Sequence, residues 1–133
     1  MEKSKFQFTN PVLTHMFFEM NSDFESNSNK EVQIKQQISV EIMPYDGKKE
    51  TTVAIRFELG EQNDDCPFYM TVVEQASFKW GDELGEKRVE NLLNQNAPTM
   101  LLSYLRPIVS QVTAASPVGP FNIPFMNFTK NAK

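Results

Sequence analysis

Few side chains in this sequence have the types and spacing needed for covalent or metal chemistry. The chain carries one histidine, His15, and one cysteine, Cys66. A single copy of each excludes a clustered His/Cys zinc site and an intrachain disulfide. Cys66 follows Asp64 and Asp65, whose negative charges disfavour the reactive thiolate, and His15 has no nucleophile beside it in the sequence. We interpret both as structural or solvated residues.

Calcium- and phosphate-binding motifs are also missing. Two adjacent carboxylates, Asp64 and Asp65, are fewer ligands than a Ca²⁺ loop supplies. Neither GxxxxGK[ST] nor GxGxxG occurs in the sequence. The sequence therefore predicts a protein that is not an enzyme and that uses no metal and no cofactor.

Apolar aromatic and sulfur-containing side chains are the chemistry that this chain offers. It has 11 Phe and 7 Met against one Trp and three Tyr, and these two residue types form adaptable binding surfaces as well as cores. Several of these Phe and Met residues lie close together in residues 116–133, where Pro and Gly precede a Phe-rich stretch. Because Pro124 disfavours a regular helix or a central strand there, we predict an extended strap with a short tail.

Length and charge restrict the class of protein. A chain of 133 residues is the size of one domain, and we predict a single domain over residues 1–133. The net charge of −4 argues against binding to nucleic acid. No stretch approaches the roughly 20 apolar residues of a membrane helix, and the first residues lack the apolar core of a signal peptide. We therefore expect a cytoplasmic protein without membrane insertion.

Hydrophobic periodicity predicts an antiparallel sheet over residues 1–80. Strict alternation marks strands over 32–42, 51–59 and 68–78, and Asp46-Gly47 marks the first turn. Residues 6–20 alternate in part, with a break or sheet edge at Pro11. No crossover helix separates these segments, so we predict an α+β fold whose sheet is a four-stranded antiparallel meander.

Helical periodicity follows in residues 81–115. A short amphipathic helix is predicted over residues 81–96. A stop and restart at residues 96–98 then places Pro98 in the first turn of a second helix, which runs to about Ala115 and is kinked by Pro107. This long helix is apolar around most of its circumference, which is more than one sheet can cover. We predict packing on one face of the sheet through Leu101, Leu105, Ile108 and Val112, and an oligomer interface at Met100, Leu102, Tyr104, Leu105 and Val109. The alternative is a surface helix with scattered exposed apolar residues.

Two stretches of the chain, residues 97–110 and 121–128, together resemble the SecB export-chaperone family. That family has a four-stranded antiparallel sheet before a long helix with an APxxLxxYxRxxI-like core, and a later segment that ends in Pro-x-x-(Asn)-Phe. The matching positions here are Ala97, Pro98, Leu101, Tyr104, Arg106, Pro124, Asn127 and Phe128, and Ile108 stands one residue before the isoleucine of the pattern. Only five residues follow Phe128, so the resemblance predicts that the family's second helix and tail are nearly missing.

The resemblance implies an ATP-independent holdase, active as a homodimer or homotetramer. Relatives bind unfolded polypeptides in apolar grooves and pass precursors to the translocase motor SecA, and some instead guard an antitoxin. On this basis we predict that clients contact Phe121, Ile123, Phe125, Met126, Phe128, Met16 and Phe18. The alternative is that the strap packs as ordinary core.

The charges predicted for the outer face of the sheet argue against docking to SecA. The outer sheet face of export chaperones in the family is acidic, whereas the predicted outer face here carries Lys35, Glu41, Arg56 and Glu58, which sum to zero. The sequence therefore leaves open an export holdase, a dedicated adaptor such as a toxin–antitoxin-associated chaperone, and a SecB-like protein without motor docking.

Overall fold

A computed structural model describes residues 5–24 and 33–128. The predicted strand start at Val32, part of the loop before it and the short tail after Phe128 lie outside these residues. Within these ranges the structure has five strands and two α-helices, in chain order β1 (Phe6–Phe8), β2 (Val12–Met20), β3 (Gln36–Ile42), β4 (Glu50–Gly60), β5 (Phe68–Trp80), α1 (Glu86–Asn91) and α2 (Ala97–Ala114).

The strands form one antiparallel sheet in which β5 is central and long. The order is β1-β5-β4-β3. The strand β2 pairs with the same edge of β5 as β1 and continues along it. The meander is therefore correct for β3, β4 and β5, but wrong for the first strand, which pairs with β5 instead of β3. This is the Greek-key order.

Aromatic pairing explains why the first strand selects β5. The ring centroids of Phe18 and Phe68 lie 5.8 Å apart, and those of Phe6 and Phe78 lie 5.4 Å apart. Ring contacts of this kind stabilise strand pairing beyond what the burial of apolar surface contributes. In contrast, β3 offers seven residues without a ring.

The predicted break at Pro11 is present and changes the register of the edge. Pro11 separates β1 from β2, and a further irregularity lies between Leu13 and His15. As a result Val12 is in register with Gln75 on the outer face, although it has the same parity in the sequence as Phe8 and Met16, which lie on the inner face. A bulge shifts every later side chain by one position, and alternation alone does not reveal it.

The helical region is continuous rather than divided. A π-helical turn, Leu92–Asn96, joins α1 to α2, so the predicted interruption at residues 96–98 is wrong. The predicted place of Pro98 in the first turn of the second helix is correct. Pro98 has no N–H to donate to the preceding turn, and a widened turn accommodates this loss. The helix α2 also runs through Pro107 without interruption.

The inner face of the sheet, defined as the face that packs against α2, carries the core. Val53, Ile55, Phe57 and Leu59 of β4 are fully buried, and α2 packs mainly on β4 and β5. The helix buries Ala97, Pro98, Leu101, Leu102, Leu105, Val109 and Thr113. The predicted sheet-facing positions Ile108 and Val112 are only half-buried, because the buried row advances by four residues from Leu105 to Val109 and Thr113. An antiparallel sheet with one long helix on one face confirms the predicted α+β class.

No helix in the described ranges is long and apolar enough to cross a membrane.

Candidate polypeptide-binding surface

The edge formed by β1 and β2 keeps apolar side chains accessible on the inner face. Because α2 lies mainly over β4 and β5, it leaves this edge partly uncovered. Phe8 is 45% exposed and Leu13 is 46% exposed. We call five of the inner-face residues of this edge the β2 strip: Phe8, Leu13, Met16, Phe18 and Met20. The predicted groove floor, Met16 and Phe18, lies within it and is half-buried.

The opposite edge of the sheet repeats this arrangement on β3. Ile38 and Ile42 are half-buried and Val40 is 36% exposed. Their cross-strand partners on β4 are core residues, for example Phe57 opposite Ile38. Together the two edges leave apolar surface on both sides of the helix.

The strap, residues 116–128, is anchored to α2 by two polar contacts. Gly119, at φ +83° in the left-handed region, lets the chain reverse after the helix. The Phe121 amide then donates to Thr113 Oγ1 at 2.8 Å, and Arg106 Nη2 donates to the Pro124 carbonyl at 3.0 Å. The Phe121 ring lies 6.3 Å from the Phe57 ring. The strap thus follows the Arg106 flank of α2 above β4.

The strap divides its apolar side chains between core and surface. Ile123 and Phe128 are 5% and 7% exposed and belong to the core. Phe121 and Met126 are half-buried. Phe125 is 85% exposed, so a large ring projects from an anchored backbone. Of the predicted client contacts on the strap, Phe121, Phe125 and Met126 are accessible, whereas Ile123 and Phe128 are not.

The strap and the predicted groove floor do not form one continuous pocket. Phe57, beneath Phe121, is in register with Val72 of β5, and Val72 is in register with Met16 of β2. The central strand therefore separates the strap from the β2 strip. The surface consists of separate apolar patches around α2.

The predicted oligomer interface is also divided. Leu102, Leu105 and Val109 are at most 2% exposed and fill the chain's own core. Met100 and Ile108 are half-buried and Tyr104 is 42% exposed. These three form what we call the Tyr104 flank of α2. This flank is available for contact with another chain.

One buried carboxyl on the inner face was not identified from the sequence. Glu74 of β5 is 4% exposed, lies in register with Ile55 and Leu13, and has one oxygen without a hydrogen-bond partner in the described structure. Burial raises the pKa of the Glu74 carboxyl above its usual value of 4.5. The alternation of β5 in the sequence does indicate this position, because Glu74 has the same parity as the buried residues Val72 and Ala76.

The described residues offer no metal site. Among residues 5–24 and 33–128, no three His, Cys, Asp or Glu side chains lie close enough together to hold a metal ion. Cys66 is buried, and its thiol donates to the Phe68 carbonyl at 3.2 Å. His15 lies exposed on the outer face in register with Val73.

Two solved structures match this chain at low sequence identity. The Mycobacterium tuberculosis SecB-like chaperone Rv1957, solved in complex with a ChAD peptide from the HigA1 antitoxin, matches with a TM-score of 0.64 and 14% identity over 91% of this chain and 90% of that chain. A protein of unknown function from Streptococcus agalactiae matches with a TM-score of 0.46 and 17% identity, over 90% of this chain and 97% of that one.

Sequence comparison identifies the family. No curated protein matches the sequence. The family model for SecB, described as preprotein translocase subunit SecB, matches residues 2–131. Together with a fold shared with a SecB-like chaperone, this match over nearly the whole chain shows that the protein belongs to the SecB family.

Proposed function

We propose that this protein is an ATP-independent holdase chaperone that binds unfolded polypeptides. The observation that carries the proposal is Phe125, which is 85% exposed on a strap anchored through Thr113 and Arg106. An exposed ring on a fixed backbone loses little conformational entropy when it contacts a client. Membership of the SecB family supports the same function.

Client contact is assigned to Phe121, Phe125 and Met126 on the strap, and to Met16 and Phe18 in the β2 strip. Burial of apolar surface contributes roughly 25 cal/mol per Å², so each patch binds weakly by itself. Patches on both sides of α2 allow one extended client to make several contacts, and these add through effective concentration. Met and Phe surfaces repack easily, which permits many client sequences.

A homodimer or homotetramer is part of the proposal. The Tyr104 flank offers Met100, Tyr104 and Ile108 to a second copy, and an oligomer multiplies the client-binding patches. We place this activity in the cytoplasm, where precursors are unfolded before export.

A dedicated adaptor for one partner is the second candidate. The Mycobacterium tuberculosis neighbour binds an antitoxin peptide, and the outer sheet face here carries Arg56 beside Glu41 and Glu58, rather than a uniformly acidic surface. This mixture of charges does not favour docking to SecA. A SecB-like role without the motor fits the same observations.

Aggregation suppression tests the proposed function. The purified chain should prevent aggregation of a chemically unfolded protein, followed by light scattering, at a near-stoichiometric ratio and without nucleotide. No suppression of several unrelated unfolded proteins, with one protein captured from lysate and identified by mass spectrometry, would favour the adaptor instead.

A further inference from the structure

The strand β3 has one free backbone edge in the structure of residues 5–24 and 33–128, because β4 is the only strand there that pairs with it. The Lys35 carbonyl accepts from the Gly60 amide at 2.8 Å, and the Met43 amide donates to the Thr52 carbonyl at 3.0 Å. Because residues of an antiparallel strand bond alternately to one side and the other, the odd-numbered residues of β3 bond to β4. The N–H and C=O groups of the even-numbered residues therefore point away from β4. We call these backbone groups the β3 edge; they belong to Gln36, Ile38, Val40 and Ile42.

The two edges of the sheet differ in their protection against pairing with a further strand. On the opposite edge, Pro11 and the irregularity between Leu13 and His15 interrupt a regular ladder. Proline, bulges and inward-pointing charges are features that keep natural edge strands from pairing. The strand β3 has no proline and no inward-pointing charge, and its register with β4 is unbroken. The β3 edge is therefore able to accept another strand.

Charges on β3 are complementary to a second, antiparallel copy of the same strand. With a two-fold axis at Ile38, Lys35 of each copy lies opposite Glu41 of the other. Opposite charges at directly facing positions stabilise paired strands, and like charges destabilise them. With the axis at Ser39 instead, Glu41 faces Gln37 and both ion pairs are lost. The charges therefore select one register.

The same register also brings apolar side chains together on the inner face. Ile38 lies opposite its own copy, and Ile34 lies opposite Ile42. These three side chains are half-buried in one chain, and Val40 is 36% exposed. A second copy supplies this pattern of apolar and charged positions, whereas unfolded clients have no common sequence.

We propose that this chain self-associates through the β3 edge, so that two copies form one continuous antiparallel sheet. About six backbone hydrogen bonds join residues 36, 38 and 40 of the two copies, and a Lys35–Glu41 pair lies at each end. The contact is separate from the Tyr104 flank, which lies on α2. It goes beyond the proposed function, because it requires neither a client nor chaperone activity.

Charge reversal tests the register of this contact. All variants also carry Tyr104→Asp, so that the Tyr104 flank does not contribute, and sedimentation equilibrium gives the dimer dissociation constant. Lys35→Glu and Glu41→Lys each create two like-charge pairs in the dimer, and each should raise that constant about tenfold. The combination of both reversals restores opposite charges and should return the constant to within about threefold of the parent value. Lys87→Glu, an exposed position on α1, is the control for net charge and should leave the constant unchanged.

Contacts within one chain do not explain such a rescue. Lys35 and Glu41 are six positions apart on an extended segment, which separates them by roughly 20 Å. Lys35 has a partner in its own chain, Glu61, at 3.6 Å between Nζ and Oε1. In the doubly reversed chain this pair becomes two carboxylates, so it opposes the rescue instead of producing it.

Hydrogen exchange of the parent chain identifies the edge without any variant. The amides of residues 37, 39 and 41 should exchange slowly at every protein concentration, because they donate to β4. The amides of residues 38 and 40 should become protected only as the concentration rises and dimers form. Exchange at residues 38 and 40 that does not depend on concentration, or no rescue by the double reversal, would overturn the inference. Protection of these amides by an unfolded client while the chain is monomeric would assign the edge to clients and would also overturn it.

Aggregation suppression is measured on the same proteins, so that the two proposals fail separately. If the parent chain suppresses aggregation but the double reversal gives no rescue, the inference fails and the proposed function stands. If the double reversal restores pairing but the parent chain suppresses no aggregation, the inference stands and the proposed function fails.

Discussion

Glu74 is an ionisable residue on a face that is otherwise apolar. Its neighbours in register are Ile55 and Leu13, and it is 4% exposed. The nearest charged positions along the adjoining strands, such as Arg56 and His15, lie on the outer face. On α2 the half-buried Arg106 is directed to the Pro124 carbonyl. Desolvation without a compensating charge therefore raises the pKa of the Glu74 carboxyl.

The first prediction follows from the sign of this shift. A raised pKa means that the folded state binds the proton more tightly, so the free energy of unfolding falls as pH rises from about 4.5 through the folded-state pKa of Glu74. Glu74→Gln should therefore increase stability at pH 7, and the gain should shrink toward pH 4.5. Urea unfolding across this pH range measures it, with Glu41→Gln as the control for net charge. A Glu74→Gln protein less stable than the parent at pH 7 would reveal a favourable partner for the carboxylate.

The strap gives a second residue-scale prediction, because its phenylalanines have opposite environments. Phe125→Ser should change the free energy of unfolding by less than about 0.5 kcal/mol while weakening client binding several-fold. Phe128→Ala removes a core ring and should cost about 3 kcal/mol or more. Urea unfolding and fluorescence anisotropy of a labelled unfolded client measure the two effects. A loss of more than about 2 kcal/mol for Phe125→Ser would place that ring in a buried interface.

At the scale of elements, Thr113 connects the end of α2 to the strap. It is fully buried. Its hydroxyl donates to the Val109 carbonyl at 2.7 Å and accepts from the Phe121 amide at 2.8 Å. One hydroxyl thus satisfies a helix carbonyl and fixes where the strap begins.

Replacement of this hydroxyl by a methyl group is the third prediction. Thr113→Val keeps the volume but leaves the Phe121 amide without its acceptor, which should cost about 1–3 kcal/mol and accelerate hydrogen exchange at Phe121. Thr99→Val is a matched control, since Thr99 makes the same type of bond to the Gln95 carbonyl at 2.7 Å but is exposed. Equal exchange rates at Phe121 in both variants would show that Thr113 does not hold the strap.

Strand and helix positions could be predicted from the sequence because burial of one face imposes a period. The alternation in β4, for example Ile55 and Phe57 inward with Arg56 outward, has one structural solution. Alternation within one strand does not indicate which strand it pairs with. The pairing of β1 and β2 with β5 depends on ring contacts between residues far apart in the sequence. The strap has no regular period, so the sequence located its phenylalanines but did not separate Phe125 from Phe128.

At the scale of the whole molecule, apolar surface remains on α2 after the chain has folded. The Tyr104 flank, with Met100, Tyr104 and Ile108, lies on one side of the helix, while the strap occupies the Arg106 side. A charge introduced into an interface formed by this flank would be desolvated without a partner, which is costly. The same charge on the polar side of the helix would remain in water.

The fourth prediction therefore concerns assembly. Light scattering coupled to size exclusion should show the parent chain as a dimer or tetramer, and Tyr104→Asp should weaken self-association at least tenfold. Ser103→Asp adds the same charge one residue away on an exposed polar position and should leave assembly unchanged. Because separate apolar patches gain affinity when several act on one client, Tyr104→Asp should also raise the amount of chain needed to suppress aggregation, although every strap residue is intact. A parent chain that is monomeric at all concentrations, or Tyr104→Asp and Ser103→Asp proteins that assemble alike, would show that the flank does not join copies of this chain.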